Sequence, residues 1–447
     1  MARLEGRGEL VRLADAVSAE LELGLICKKL MDRRGPACLF EGVYGSPMPV
    51  LANLFSNRGR VALALGVEER ELLPHWLSCL QRPVEPIVTG DAPCQEVVIE
   101  EPDLSELLPD IRWHPRDPCS FITFGMTICR DPDSGIRNLG LYRMQIKGGS
   151  KLGFNSAPPQ HAGVAYAKAE ARGESLPVAV VIGADPCLYL ASQAVGSYEL
   201  DELALAGAFR GEPLPMVKCK TVDLEVPANA EIVLEGEVLP GAREIEGPFG
   251  EFTGYYSGAA PKPIIHVKLM TQRRYPIYAC TYEGKPPTNT HVLQAVAREP
   301  ILLAEIRRSV CPTAKDVVVT EAGCASLHVV VSIKQLRAGQ ARNVGYELIK
   351  SNLIKHVIVV DEDVDVRDPA AVEWAVATRV QAGEDVIIAP KMAGMFLDPS
   401  QYGFPSGLSD KVIVDATRPP RTTEELIEFP ADLESSVERN WSGYGFA

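Results

Sequence analysis

The sequence predicts a three-part α/β chain: a small N-terminal α/β lobe, a middle lobe of mostly antiparallel strands closing toward a β-barrel, and a C-terminal α/β lobe. Three observations carry this. The 447 residues exceed what one ordinary core serves, so two or three domains are expected. Between about 120 and 310, short alternating runs recur with turn signals and inserted helices. Beyond 310 the pattern changes to β-α-β-α, the mark of a parallel sheet with helices packed on it. The lobes are expected over 1–115, 116–310 and 311–447.

Taken in order, residues 7–31 place Leu10, Leu13, Val17 and Leu21 at helical spacing until Arg33-Arg34-Gly35-Pro36 ends the pattern. Residues 37–43 predict a strand, 49–65 and 72–80 helices, and 91–101 strand-like alternation. The Pro- and Asp-rich residues 102–117 form a connection. FITFGMTICR (121–130), a DPDSG turn and NLGLYRMQI (138–146) predict a hairpin. Alternation puts Asn138 and Arg143 on opposite faces unless a bulge or a strand end intervenes. After PPQH (158–161) a helix runs to about Arg172, with His161 at its N-terminus. Backbone N–H groups favour an anion such as phosphate there, and a plain cap or surface histidine is the alternative. Strands at 177–183, 217–221 and 230–239 follow, with a loop and helix over 192–210. Further strands are expected at 263–270 and 277–282, then a helix of about sixteen residues from Thr290. The last lobe reads as strand 327–333, helix 338–351, strand 357–360 and helix 369–381. Asp368 is the N-cap of the second helix and Pro369 its first residue. The acidic run 361–365 lacks the Gly and terminal Glu of a calcium loop and reads as a solvated turn.

Composition narrows the partners. A formal net charge of −14 argues against nucleic acid or an anionic membrane, both of which need a basic surface. No run of 18 apolar residues predicts a membrane span. Eleven cysteines without a C-x-x-C pair, and no apolar signal segment behind Met1, point to a reducing cytoplasm.

The chemistry gathers in EGPFGEFTGYY (246–256), where Glu246 and Glu251 stand five positions apart. A strand would send them to opposite faces, and a helix would set them about 140° apart. Gly247, Pro248 and Gly250 instead predict a tight loop able to fold both acids toward one point. Carboxylates held together have their pKa values pushed apart, leaving one to carry a proton near neutral pH. Read alone, the stretch is better taken as a Gly-Pro hairpin turn with two solvated acids.

NLGLYR (138–143), PPQH (158–161), VKCKTVDLEVPANAEIVLEGEV (217–238), EGPFGEFTGYY (246–256), VIVVDEDVDVRDP (357–369) and SDKVIVDAT (409–417) resemble, in order, successive signatures of the UbiD-like decarboxylases. The resemblance covers nearly the whole chain. It implies a split β-barrel flavin-binding middle domain, a C-terminal oligomerisation domain, and a homo-oligomer, dimer or hexamer. It also implies prenylated FMN supplied by a flavin prenyltransferase, a divalent metal (Mn²⁺ or Mg²⁺), K⁺ as an additional ion, and a small carboxylic acid and CO₂ as reaction partners. Residue by residue, Arg143, Glu246 and Glu251 match the family's catalytic Arg-Glu-Glu network. Asn138 and His161 match ligands of the metal that bridges to the flavin phosphate. Gln160 matches a flavin-flanking position, Ser192 a flavin-lining loop, and Lys411 a lysine that reaches the phosphate. One position departs: Pro215 stands where the family often has a metal-binding glutamate, so water, Glu212 or another group is expected as third ligand.

Loss of CO₂ from an aryl carbon leaves a carbanion that needs an electron sink and then a proton. Glu251 is the expected acid, tuned by Glu246 and Arg143, and Arg143 can grip a substrate carboxylate bidentately. His291 and Arg298, about two helical turns apart, would make a second cationic clamp for a diacid. Their segment resembles that of the furan-2,5-dicarboxylate branch. The other reading makes His291 a helix cap and Arg298 the partner of Glu299 or Glu305. Pyrrole-, hydroxybenzoate- and acrylate-type acids are alternative substrates. An FMN oxidoreductase and a non-catalytic flavin-binding subunit are the alternatives of other classes.

Overall fold

One nine-stranded sheet organises the middle of the chain, and its closure decides where the site lies. In the computed structural model, which describes residues 1–156, 158–403, 406–419, 425–427 and 429–445, the strands follow one path. They run Arg137–Leu141, Met126–Arg130, Leu176–Ile182, Ile232–Glu246, Ala260–Gln272, Lys151–Phe154, Met144–Ile146 and Phe121–Ile122, with Val97–Glu100 added beside Ala260–Gln272. The long central pair runs antiparallel from Ile232↔Gln272 to Glu246↔Ala260, with register shifts at Glu235/Gly236 and Val238/Arg243. Such irregularities bend and twist a strand, and here the sheet curls into a half-barrel.

The curl corrects one expectation. Residues 138–146 are not a single strand: Arg137–Leu141 pairs with Met126–Arg130, whereas Met144–Ile146 pairs with Lys151–Phe154 near the other end of the sheet. The chain crosses the mouth of the half-barrel at Tyr142 and Arg143. A strand end therefore separates Asn138 from Arg143.

The N-terminal sheet joins Leu10–Leu13, Ala37–Phe40 and Val50–Ala52, and its last member is Tyr278–Ala279, drawn from far along the chain. Two expected helices begin later than predicted. The run 7–31 contains strands Leu10–Leu13 and Val17–Ser18 before helix Glu22–Asp32, and 49–65 opens with strand Val50–Ala52 before helix Arg58–Leu65. Asn57 caps that helix by accepting from the Arg60 amide. Pairing with a distant strand overrode the local helical period, as tertiary context does for weak propensities. Leu72–Gln81 is a helix as predicted.

The C-terminal sheet runs Ala314–Val319, His328–Ile333, His356–Asp361, Leu408–Ala416 and Val386–Ala393, with the middle three strands parallel. Asp368 accepts from the Ala370 amide and starts helix Pro369–Arg379. The acidic run at 361–365 is the solvated turn expected, with Glu362, Asp363 and Asp365 exposed, and Arg379, 6% exposed, also anchors it by donating to Asp361 and Asp363 at 3.2 and 2.6 Å. Helix Asn289–Ser309 packs on both Ala314–Val319 and Leu72–Gln81, tying the lobes together. Among the described residues no helix is long and apolar enough to cross a membrane, and all the cysteines are free.

Candidate active site

Arg143, set at the strand crossing, meets the acids at the end of the Ile232–Glu246 strand. Its guanidinium grips Glu246 bidentately, Nε to Oε1 at 3.0 Å and Nη2 to Oε2 at 3.1 Å. Nη1 donates to Glu251 Oε1. Glu246 is 0% exposed and Glu251 5%. The Gly247–Ser257 loop folds the second acid back, as its glycines predicted: Gly247 takes φ +89°, a left-handed value open to glycine. The Glu251 amide donates to Tyr255 O at 2.9 Å. The Phe249 ring lies 5.0 Å from the Arg143 guanidinium carbon, a cation–π contact beneath the network.

Burial opposes the charge on Arg143, and its two carboxylates more than restore it, so its pKa stands above the usual arginine value. Burial pushes the Glu251 carboxyl up, Arg143 and Ser257 pull it back, and the Glu246 charge adds to the rise, leaving it above the ordinary carboxylate range.

A second dyad supports the loop and was not foreseen in the sequence. His114 Nδ1 lies 3.3 Å from Asp117 Oδ2, and its ring abuts Phe249, Tyr256 and Tyr282. A Cβ on Gly250 would fall 2.4 Å from His114 Nδ1, so only glycine fits. Gly250→Ala is expected to cost about 1–3 kcal/mol through overpacking, read as a lower denaturant midpoint at unchanged slope. An unchanged midpoint would mean that the loop does not bear on His114.

A separate polar cluster sits beyond the strand crossing. Asn138 Nδ2 donates to Glu202 Oε1 at 3.2 Å, the Leu139 amide donates to Glu202 Oε2 at 3.0 Å, and His161 Nδ1 lies 3.7 Å from Glu202 Oε1. Asn138 Oδ1 is buried without a partner. Glu202, 3% exposed, lies in the first turn of helix Glu202–Arg210, whose N-cap is Asp201. Of the groups left open as third ligand, Glu212 bonds Arg210, whereas Glu202 stands with Asn138 and His161. The signal in the sequence is an acid, Glu202, just inside a helix capped by Asp201. An orphaned amide oxygen, a carboxylate and an imidazole nitrogen form a donor set that suits a divalent cation, so these residues fit the metal that the resemblance implied.

The remaining expected residues are placed as follows. Gln160 is the N-cap residue of helix His161–Ala171. Ser192 ends helix Pro186–Ala191 and donates to Tyr189 O at 2.8 Å. Lys411, expected to reach the phosphate, donates its ammonium to Ile349 O and Ser351 O at 2.8 and 2.6 Å and caps the end of helix Gln340–Ile349. The second cationic clamp is also corrected. His291 Nε2 donates to Phe252 O at 2.8 Å and Nδ1 meets the Thr288 hydroxyl at 2.7 Å, while burial pushes the ring down to about 3 and keeps it neutral. Arg298 donates to Ala325 O and Ser326 Oγ, not to Glu299 or Glu305. Glu299 is held instead by Arg58 at 2.8 Å and Arg367 at 3.4 Å. A cavity of about 710 Å³, lined by Met1–Leu4, Arg60, Asp185 and Glu231 among others, lies away from Arg143, Glu246 and Glu251.

Fold and site together define a carboxy-lyase. Family models described as 3-octaprenyl-4-hydroxybenzoate carboxy-lyase N-terminal, Rift-related and C-terminal domains match residues 1–80, 86–286 and 291–416. The chain is similar to the UbiD-class enzyme HmfF from Pelotomaculum thermopropionicum in complex with FMN, at 39% identity and TM-score 0.91, covering 97% of each chain. An evolved dimeric form of that enzyme, in complex with prFMN, matches at 38% identity and TM-score 0.87, over 97% of this chain and 96% of that one. The anhydromevalonate phosphate decarboxylase of Methanothermobacter thermautotrophicus is 36% identical over 420 residues, 94% of this chain and 96% of its own. The chain belongs to the UbiD family.

Proposed function

We propose that this carboxy-lyase uses prenylated FMN to remove, and in reverse to add, a carboxyl group on an aromatic, heteroaromatic or α,β-unsaturated acid. The observation that carries this reading is the single buried guanidinium shared by Glu246 and Glu251. When bound, the flavin supplies the electron sink for the carbanion left by CO₂. Arg143 orients the reacting acid, and its bidentate grip on Glu246 fixes its own direction. Glu251, its pKa raised by burial, holds a proton and delivers it to the carbon that lost CO₂. The enclosed site keeps bulk water away from that carbon.

Asn138, His161 and Glu202 are the proposed holders of a divalent cation, manganese or magnesium, that neutralises the flavin phosphate. Glu202→Gln removes the one carboxylate of the set. It is expected to weaken Mn²⁺ binding by at least about 10–100-fold in calorimetry of the cofactor-free protein, the range already seen when a residue that only orients a ligand is lost. Unchanged Mn²⁺ affinity would place the cation elsewhere.

Furan-2,5-dicarboxylate remains the first acid to test, although His291 and Arg298 in their present contacts offer it no second clamp. The assay sets it beside pyrrole-2-carboxylate and a hydroxybenzoate, using protein made with a flavin prenyltransferase and reading ¹³CO₂ exchange. Exchange into none of them, with prenylated FMN bound, would sink the reading.

A further inference from the structure

Replacing a carboxylate by hydrogen takes up one proton per turnover: RCOO⁻ + H⁺ gives RH + CO₂. Resting on the reading of Glu251 as proton donor, this raises the question of how so enclosed a carboxylate, 5% exposed, is reloaded. A second carboxyl, that of Glu283, lies near enough for the Glu251 charge to act on it. Glu283 accepts the Thr290 hydroxyl at the start of helix Asn289–Ser309. His291, next in that turn, donates to Phe252 O, one residue past Glu251. A Cβ on Gly254, three residues past Glu251, would fall 3.0 Å from Lys285 Cα and Cβ. The segments bearing Glu251 and Glu283 are thus packed together at one helix start.

Glu283 is half-buried as a residue. Among the described residues no ion pair reaches it, unlike Glu246, Glu251 and Glu299. The groups acting on it are the Thr290 hydroxyl and the Glu251 charge on the loop. Tyr282 on its own segment senses both Glu283 and Asp32, and the neutral His291 senses Lys28, with Lys28 and Asp32 both on helix Glu22–Asp32. Lys28 is committed to Asp32 at 2.5 Å and to Pro286 O at 3.4 Å.

We propose that Glu283 is the proton reservoir for Glu251: its neutral carboxyl gives the O–H proton to the Glu251 carboxylate left by each turnover, then takes a replacement from solvent. In this role Glu283 acts through Glu251 and touches no reacting atom. Its acidity suits the task. Burial pushes it up, the Thr290 hydrogen bond pulls it down, and the Glu251 charge adds to the rise, leaving it at about 8. A native state that keeps this proton to about pH 8 binds more protons than an unfolded chain releasing it at 4.5. Stability therefore falls as pH rises through that window.

The first test uses the full chain without cofactor and ¹³C-carboxyl glutamate NMR. One carboxyl is expected to titrate near pH 8, to vanish in Glu283→Gln and to titrate lower in Glu251→Gln. A Glu283 signal in the ordinary carboxylate range, or one indifferent to Glu251→Gln, overturns the proposal. The second test uses loaded protein and whichever of the three test acids the wild type takes. Glu283→Gln is expected to lower steady-state turnover at least about tenfold while leaving the first turnover unchanged, and Glu283→Asp to restore most of the loss. Equal losses in first and later turnovers would make Glu283 a pocket-shaping residue and overturn the relay alone. A wild type that exchanges no ¹³CO₂ overturns both the relay and the decarboxylase reading beneath it.

Discussion

Glu251→Gln is expected to leave a folded protein whose turnover falls by about a hundredfold to ten-thousandfold, the span associated with a positioned general acid. The substitution keeps the side chain's size and an oxygen for the Arg143 Nη1, so the loop that packs on His114 should persist. What it removes is the proton. Burial holds that proton on Glu251 above the ordinary carboxylate range, with the Glu246 charge adding to the effect. The sign with pH follows: the acid form is present below the raised pKa and is lost as pH rises through it, so wild-type turnover should decline on the alkaline side. The measurement is the pH profile of CO₂ release by both proteins. Unaltered turnover in the variant would remove Glu251 from the chemistry.

Arg143→Met should abolish turnover and also destabilise the fold by about 3–5 kcal/mol, because it leaves a buried carboxylate without its cation. Glu246, 0% exposed, accepts hydrogen bonds at both of its oxygens from that one guanidinium. The check is a denaturant midpoint for the cofactor-free protein, together with the double variant Arg143→Met/Glu246→Gln. The double variant should regain much of the lost stability without regaining turnover, since it removes the stranded charge while the acid network stays broken. A single variant as stable as wild type would mean that Glu246 finds another partner or its own proton.

Much of this was legible along the chain. The Gly-Pro-rich loop between Glu246 and Glu251 was readable because glycine and proline leave few backbone choices there. The Asp368-Pro369 helix start was readable because a cap needs only its next three residues. The long helix behind His291 was also found, although it starts at Asn289 and runs on through Pro300. The failures share one cause. The strand at Leu10–Leu13 depends on Ala37–Phe40, and the break at Arg143 on strands from both ends of a curled sheet; neither partner is local. The site misread in the same way. His291 and Arg298 lie on one helix and look like a pair, yet a loop carbonyl from Phe252 and backbone from Ala325 claim them separately.

The sequence by itself determined the family, the three-part α/β plan and the identities of the central arginine and two acids, since signatures in order and constrained turns are local properties of a chain. Only the tertiary structure decided which acid joins Asn138 and His161, which cations are already spent, and that the segments bearing Glu251 and Glu283 pack together. Those outcomes depend on what a distant segment brings within about 3 Å of a polar atom, and hydrogen bonds at that range are made in space, whatever the separation in sequence.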